Sequence, residues 1–79
     1  MIDKIIYCIS LQKNIPQNKI EKEHHFSRDL GMDSLDIFQL IASLEDDIGI
    51  DIDIEAIKEN LTVEKMASYL QKNQKGFKG

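Results

Sequence analysis

Apolar residues recur along this chain at helical spacing, in separate stretches divided by polar connections. Ile2, Ile5, Ile6 and Ile9 fall at i, i+3, i+4 and i+7, which makes one face of a first helix. Cys8 lies beside that face as a small helix residue. The segment Asn14-Ile15-Pro16-Gln17-Asn18 ends the helix, because proline disfavours the helical conformation at the residue before it. A second stripe, Ile37, Leu40, Ile41, Leu44 and Ile48, predicts a helix from about Ser34 to Ile48, closed by Gly49, which tolerates the left-handed conformation. Thr62 is a good N-cap for a last helix in which Val63, Met66, Ala67 and Leu70 repeat at helical spacing. Between these, Ile54 to Asn60 reads as a short helix of one to two turns. Ile50 to Asp53 alternates apolar and acidic residues, but so short a strand would have no partner among helices and reads as a loop. The polar connection from the first helix to about Met32 is long for a small domain. It is expected to pack across the bundle, anchored by Ile15, Ile20, Phe26 and Leu30. The fold class is therefore all-α: a small four-helix bundle with three principal helices and one short one, a single domain over 1–79, with a polar tail from Gln71 to Gly79 expected to fray.

Composition narrows the setting. Seventy-nine residues are near the lower limit at which one core suffices without staples. Cys8 is the only cysteine, which excludes an intramolecular disulfide and points to a reducing compartment. The opening Met1-Ile2-Asp3-Lys4-Ile5-Ile6 lacks the order of a signal peptide, and no apolar run approaches the roughly 20 residues that span a bilayer. A cytoplasmic protein without membrane insertion is the expectation. Charge is unevenly placed. Between Asp33 and Glu59 stand nine acids and one base, Lys58, a net of −8 in a chain whose total is −4. Such a field attracts basic protein surfaces and repels nucleic acid; the plainer alternative is a solvated acidic face.

The run Asp29-Leu30-Gly31-Met32-Asp33-Ser34-Leu35 adds candidate chemistry. Serine ahead of an apolar-periodic stretch is an ordinary helix cap. Asp33 can fill that role too, with Asp36 at the third helical position completing a capping box, which would leave the Ser34 hydroxyl spare and solvent-facing. Both assignments are open on local chemistry. At about 100° per residue, Leu35, Phe38 and Ala42 fall on the side of the helix away from the core stripe, with Glu45 and Asp46 nearby. Apolar residues rimmed by acids suggest a docking patch, unless the bundle packs this face as well.

Other chemistry is excluded or weak. Ser34 lacks the G-x-S-x-G elbow, since Asp36 stands where the second glycine belongs, and the chain is too short to build a hydrolase pocket around His24 or His25. The adjacent histidines have no spaced partners for a metal site and read as a solvated loop pair. Counting from Asp51, a calcium loop would need glycine at Ala56 and glutamate at Thr62, so an EF-hand is rejected.

Phe26-Ser27-Arg28-Asp29-Leu30-Gly31-Met32-Asp33-Ser34-Leu35-Asp36 resembles the acyl carrier protein signature, F-x-x-D-L-G-x-D-S-L-D around a modified serine. The order of elements agrees over nearly the whole chain. The resemblance implies a non-catalytic carrier with 4′-phosphopantetheine, derived from coenzyme A, attached at Ser34. Asp33 would match the aspartate that helps hold the metal ion in the transferase complex. Leu35, Asp36, Phe38, Ala42, Glu45, Asp46 and Asp47 would lie on the helix that partners read. Those partners would be a phosphopantetheinyl transferase and acyl-activating, ketosynthase or acyltransferase-type enzymes with basic docking surfaces, meeting a monomer. The Gly31-Met32-Asp33-Ser34 form is more similar to fatty-acid or polyketide carriers than to peptidyl carriers. Gln39, where a glutamate is common, and the bulky Ile37 and Phe38 point to a specialised carrier. An acidic helical adaptor without a prosthetic group is the alternative.

Overall fold

The N-terminal isoleucine stripe winds into α1 (Ile2–Lys13) and buries Ile5 and Ile9. The computed structural model describes residues 1–49 and 51–72. α1 stops where Asn14 adopts the left-handed conformation, φ 57°, and its N–H donates to the Ser10 carbonyl. Asparagine is among the few residues that tolerate this geometry. Pro16 follows, and a 3-10 turn spans Gln17–Lys19. The second stripe forms α2 (Ser34–Ile48), which ends at Gly49 with φ 79° and an N–H bonded to the Glu45 carbonyl. α3 (Ile54–Ile57) is capped by the Asp53 side chain, which accepts from the Glu55 N–H at 3.0 Å. α4 (Val63–Lys72) opens with the Thr62 hydroxyl accepting from the Lys65 N–H at 3.1 Å.

One apolar core joins these elements. α1 packs against both α2 and α4. Leu40, Ile41, Leu44 and Ile48 of α2 belong to the same buried cluster as Val63, Met66, Ala67 and Leu70 of α4. The long connection is part of this core: Ile20, Phe26, Leu30 and Met32 are buried in it. Its backbone is laced to the start of α4, with the Phe26 N–H donating to the Leu61 carbonyl at 2.8 Å and the Glu64 N–H to the Lys22 carbonyl at 2.9 Å. An isolated antiparallel bridge pairs His25 with Thr62. These bonds supply partners that an irregular segment, unlike a helix, cannot supply itself.

Several expectations need adjustment. Helix α3 is shorter than the Ile54–Asn60 reading. The Glu59 and Asn60 N–H groups donate three residues back, to Ala56 and Ile57, so the chain tightens into turns after Ile57. Ile15 and Ile37 are half-buried at the edge of the core rather than within it. Met32, outside the expected anchors, is buried; its N–H reaches back to the Phe26 carbonyl at 2.9 Å, which turns the side chain inward. Gln71 and Lys72 belong to α4 rather than to a frayed tail. The rest of that expected tail, 73–79, lies outside the described residues, as does Ile50 of the expected loop.

Candidate functional site

The first turn of α2 is capped reciprocally. Asp33 is the N-cap, and its Oδ1 accepts from the Asp36 N–H at 2.9 Å while Asp36 Oδ2 accepts from the Asp33 N–H at 3.1 Å. The shorter aspartate thus does the work usually given to glutamate in this motif. Gly31, at φ 67°, supplies the turn that delivers the chain to this cap. With capping done by two carboxylates, Ser34 becomes the first helical residue. It is exposed, and its hydroxyl has no hydrogen-bond partner among the described residues. The Ser34 and Leu35 N–H groups are likewise without acceptors there, as the first donors of a helix are. Those free donors and the aligned peptide dipoles of a 15-residue helix make the position favourable for an anion.

Helix α1 clamps this turn from the side. Lys13 Nζ lies 3.0 Å from Asp36 Oδ2, and Gln12 Nε2 donates to the Asp36 carbonyl at 2.6 Å. The Lys13 hydrogen bond, and next the one from the Asp33 N–H, hold the Asp36 carboxyl below the usual aspartate range. Beside Ser34 opens a groove of about 450 Å³ between α2 and α3, walled by Met32, Ile37, Phe38, Ile57 and Leu61, with Ser27, Asp33 and Lys58 also lining it. It is apolar and begins at the serine.

The expected docking residues do not share one environment. Leu35 is 71 % exposed and Phe38 49 %, and Ala42 and Asp46 are also exposed. Asp36 and Glu45 are half-buried and already engaged, Asp36 by Lys13 and Glu45 by the Ile52 N–H, which donates to its Oε2 at 2.8 Å. Asp47 faces solvent but pairs with Lys4 at 2.6 Å, and that hydrogen bond raises the pKa of the lysine above its ordinary value. Lys13, Gln12, Lys4 and Lys58 were not singled out as site residues from sequence. The contacts of Lys13, Gln12 and Lys4 join positions 23 to 43 residues apart, which no local pattern encodes.

The histidines have structural work. His25 Nδ1 accepts from the Ser27 and Arg28 N–H groups, each at 3.2 Å, and His24 Nδ1 accepts from the Glu21 N–H at 2.9 Å. Both are half-buried turn organisers rather than a solvated pair. Burial pushes the Cys8 thiol pKa up, which disfavours a reactive thiolate. Among the described residues no group of three His, Cys, Asp or Glu side chains could hold a metal ion, and no helix is long and apolar enough to cross a membrane.

A sequence profile described as the phosphopantetheine attachment site matches residues 3–70. The chain belongs to this phosphopantetheine-attachment family of acyl carriers. It is 35 % identical to an acyl carrier protein of Treponema denticola over 75 residues, which covers 95 % of this chain and 96 % of that one. The acyl carrier protein of Bdellovibrio bacteriovorus is 38 % identical over 72 residues, 91 % of this chain and 92 % of the relative. A third relative, the acyl carrier protein of Phaeodactylum tricornutum, is 32 % identical over 65 residues, 82 % and 86 % of the two chains. The protein is thus a non-catalytic carrier, and 4′-phosphopantetheine is its covalent prosthetic group. A free hydroxyl, free helix donors and an adjoining apolar groove fit such a group at the start of α2.

Proposed function

We propose that Ser34 is the attachment point, and that the carrier serves fatty-acid or polyketide-type biosynthesis with a specialised set of partners in the cytoplasm. The observation that carries the first part is the Ser34 hydroxyl, without a hydrogen-bond partner among the described residues and exposed at the first helical position because Asp33 and Asp36 cap the helix between them. The bound arm supplies a terminal thiol that holds acyl groups as thioesters, and a tether of this kind raises the local concentration of cargo at a docked enzyme. The chain's own contribution is to present the serine without disturbing the core, and to stabilise the phosphate beside the Ser34 and Leu35 N–H groups. Asp33 is the carboxylate nearest in sequence, available to a metal ion brought by the transferase.

Partners would dock on the outward side of α2, with Leu35, Phe38 and Ala42 at the centre and Asp46 and Asp47 on the rim. Asp36 and Glu45 would contribute to the field rather than as free hydrogen-bond acceptors, since Lys13 and Ile52 already use them. With Gln39 in the middle of this face, fewer free acids remain for a basic partner to read, and that supports a specialised set of enzymes. The half-buried Cys8 as a free thiol fits a reducing compartment.

The test is intact mass after incubation with a broad-specificity phosphopantetheinyl transferase and coenzyme A. Wild type should gain one phosphopantetheine, and Ser34→Ala none, with helical circular dichroism unchanged. Loading of the alanine variant would place the arm elsewhere. Unfolding of that variant would make Ser34 structural instead.

A further inference from the structure

Resting on the attachment at Ser34, we propose that Lys58 is the positioning cation for the phosphodiester, holding the root of the arm against the groove between α2 and α3. Lys58 is the single base among nine acids from Asp33 to Glu59. Among the described residues it is also the only cationic side chain lining the groove that Ser34 opens onto, where the other walls are apolar apart from Ser27, Asp33 and Ser34 itself. A phosphodiester on the Ser34 oxygen would add a negative charge next to the Asp33 carboxylate. Asp36 on the same turn is already balanced by Lys13. The helix dipole offsets part of the new charge, and Lys58 is the side chain of the groove that can offset more.

Its present partner does not compete strongly. Lys58 Nζ lies 3.8 Å from Glu55 Oε2, with the two side chains 70 % and 81 % exposed, so this pair sits at the outer limit of an ion pair in open solvent. A lysine ammonium on a flexible stem can turn from such a partner to a phosphate at little cost. The consequence is a bias: with the phosphodiester paired to Lys58, the arm leaves the serine along the groove walled by Phe38, Ile57 and Leu61. Screening or removing that charge frees the arm toward solvent.

The experiment compares the change in melting temperature on loading, holo minus apo, for wild type, Lys58→Gln and Lys58→Arg, with loading verified by intact mass. Subtracting apo from holo removes what the substitution does to the unloaded protein and leaves the change on loading, in which Lys58 exchanges the weak Glu55 pair for the phosphodiester. At low salt the loading shift should be more favourable in wild type than in Lys58→Gln by about 1–4 °C, the scale of an exposed ion pair in a domain this small. Lys58→Arg should keep the wild-type shift. The difference should fade at about 1 M salt, where the Debye length is about 3 Å. The phosphorus NMR resonance of the holo protein should move in Lys58→Gln and stay near wild type in Lys58→Arg. Fully loaded proteins with equal shifts and equal phosphorus resonances would overturn the role of Lys58 alone. No mass gain on folded wild type would overturn it together with the attachment at Ser34.

Discussion

Both sides of α2 carry large apolar side chains, yet they meet different surroundings. On the inner side Leu40 and Leu44 are fully buried, with Ile41 and Ile48 nearly so, in the core that α2 shares with α1 and α4. On the outer side Leu35 stands largely in solvent and Phe38 about half so, beside the exposed Ala42. Burying a leucine or isoleucine stabilises a fold by about 1.5–3 kcal/mol, whereas an exposed one contributes little. The inner side therefore holds the helix in place, and the outer side is left available for contacts that the fold does not need. Ser34 sits at the end of the helix where these two sides meet the groove.

The largest effect should come from breaking the inner side. Leu44→Ala should lose about 2–5 kcal/mol. A chain of this length has only roughly 4–12 kcal/mol of stability in total. The urea midpoint should fall steeply, and loading of Ser34 should fail in step with unfolding rather than before it. A loss below about 1 kcal/mol would show that the inner stripe is not where the stability lies.

Next in size is the cap at the junction. Asp33→Ala should cost about 0.5–2 kcal/mol, the usual range for losing an N-cap. Asp33→Asn should recover most of it, because asparagine caps about as well as aspartate. If the Asp33 charge also serves the transferase, the asparagine variant will be stable yet slow to load. Equal loading rates in wild type and Asp33→Asn would restrict Asp33 to capping.

The contrast between regular and irregular chain also explains what could be read from sequence. Helical spacing identified both the inner stripe of α2 and the outward Leu35 and Phe38, because a helix fixes the angle between successive side chains. The exchange of hydrogen bonds between Asp33 and Asp36 was legible for the same reason. Met32 was not, since an irregular connection has no period from which to tell inward from outward; only the fold-back to Phe26 buries it. The end of α3 was not legible, since no glycine or proline directly follows Ile57, and the chain leaves the helix through three-residue turns. The clamp of Lys13 and Gln12 on Asp36 arises from docking α1 beside α2, over separations of 23 and 24 residues.

That clamp predicts a smaller, pH-dependent effect. Lys13, with the Asp33 N–H, lowers the Asp36 pKa in the folded state below its ordinary value. A depressed carboxylate adds stability that is fully present above the ordinary aspartate range and is lost as pH falls through the folded value. Lys13→Met removes the largest cause while leaving the cap bonds in place. Its urea midpoint should lie below wild type near neutrality, and the two curves should converge from about pH 5 downward as Asp36 protonates. Parallel curves down to acid would mean that Lys13 acts through packing instead.

The smallest stability effect should come from the outer side, and it separates the two sides of α2 most cleanly. Leu35 is 71 % exposed and sits one residue after the serine. Leu35→Gln should change stability by no more than about 0.5 kcal/mol, as surface substitutions away from caps and cores do. If partners read this side, the same variant should raise the transferase KM for the carrier with kcat little changed, because docking is lost while the serine and its cap remain. A drop in kcat at constant KM would instead mean that Leu35 shapes the first turn around Ser34. A large loss of stability would mean that Leu35 belongs to the fold, and the division between the two sides would fail at the very residue where it matters for loading.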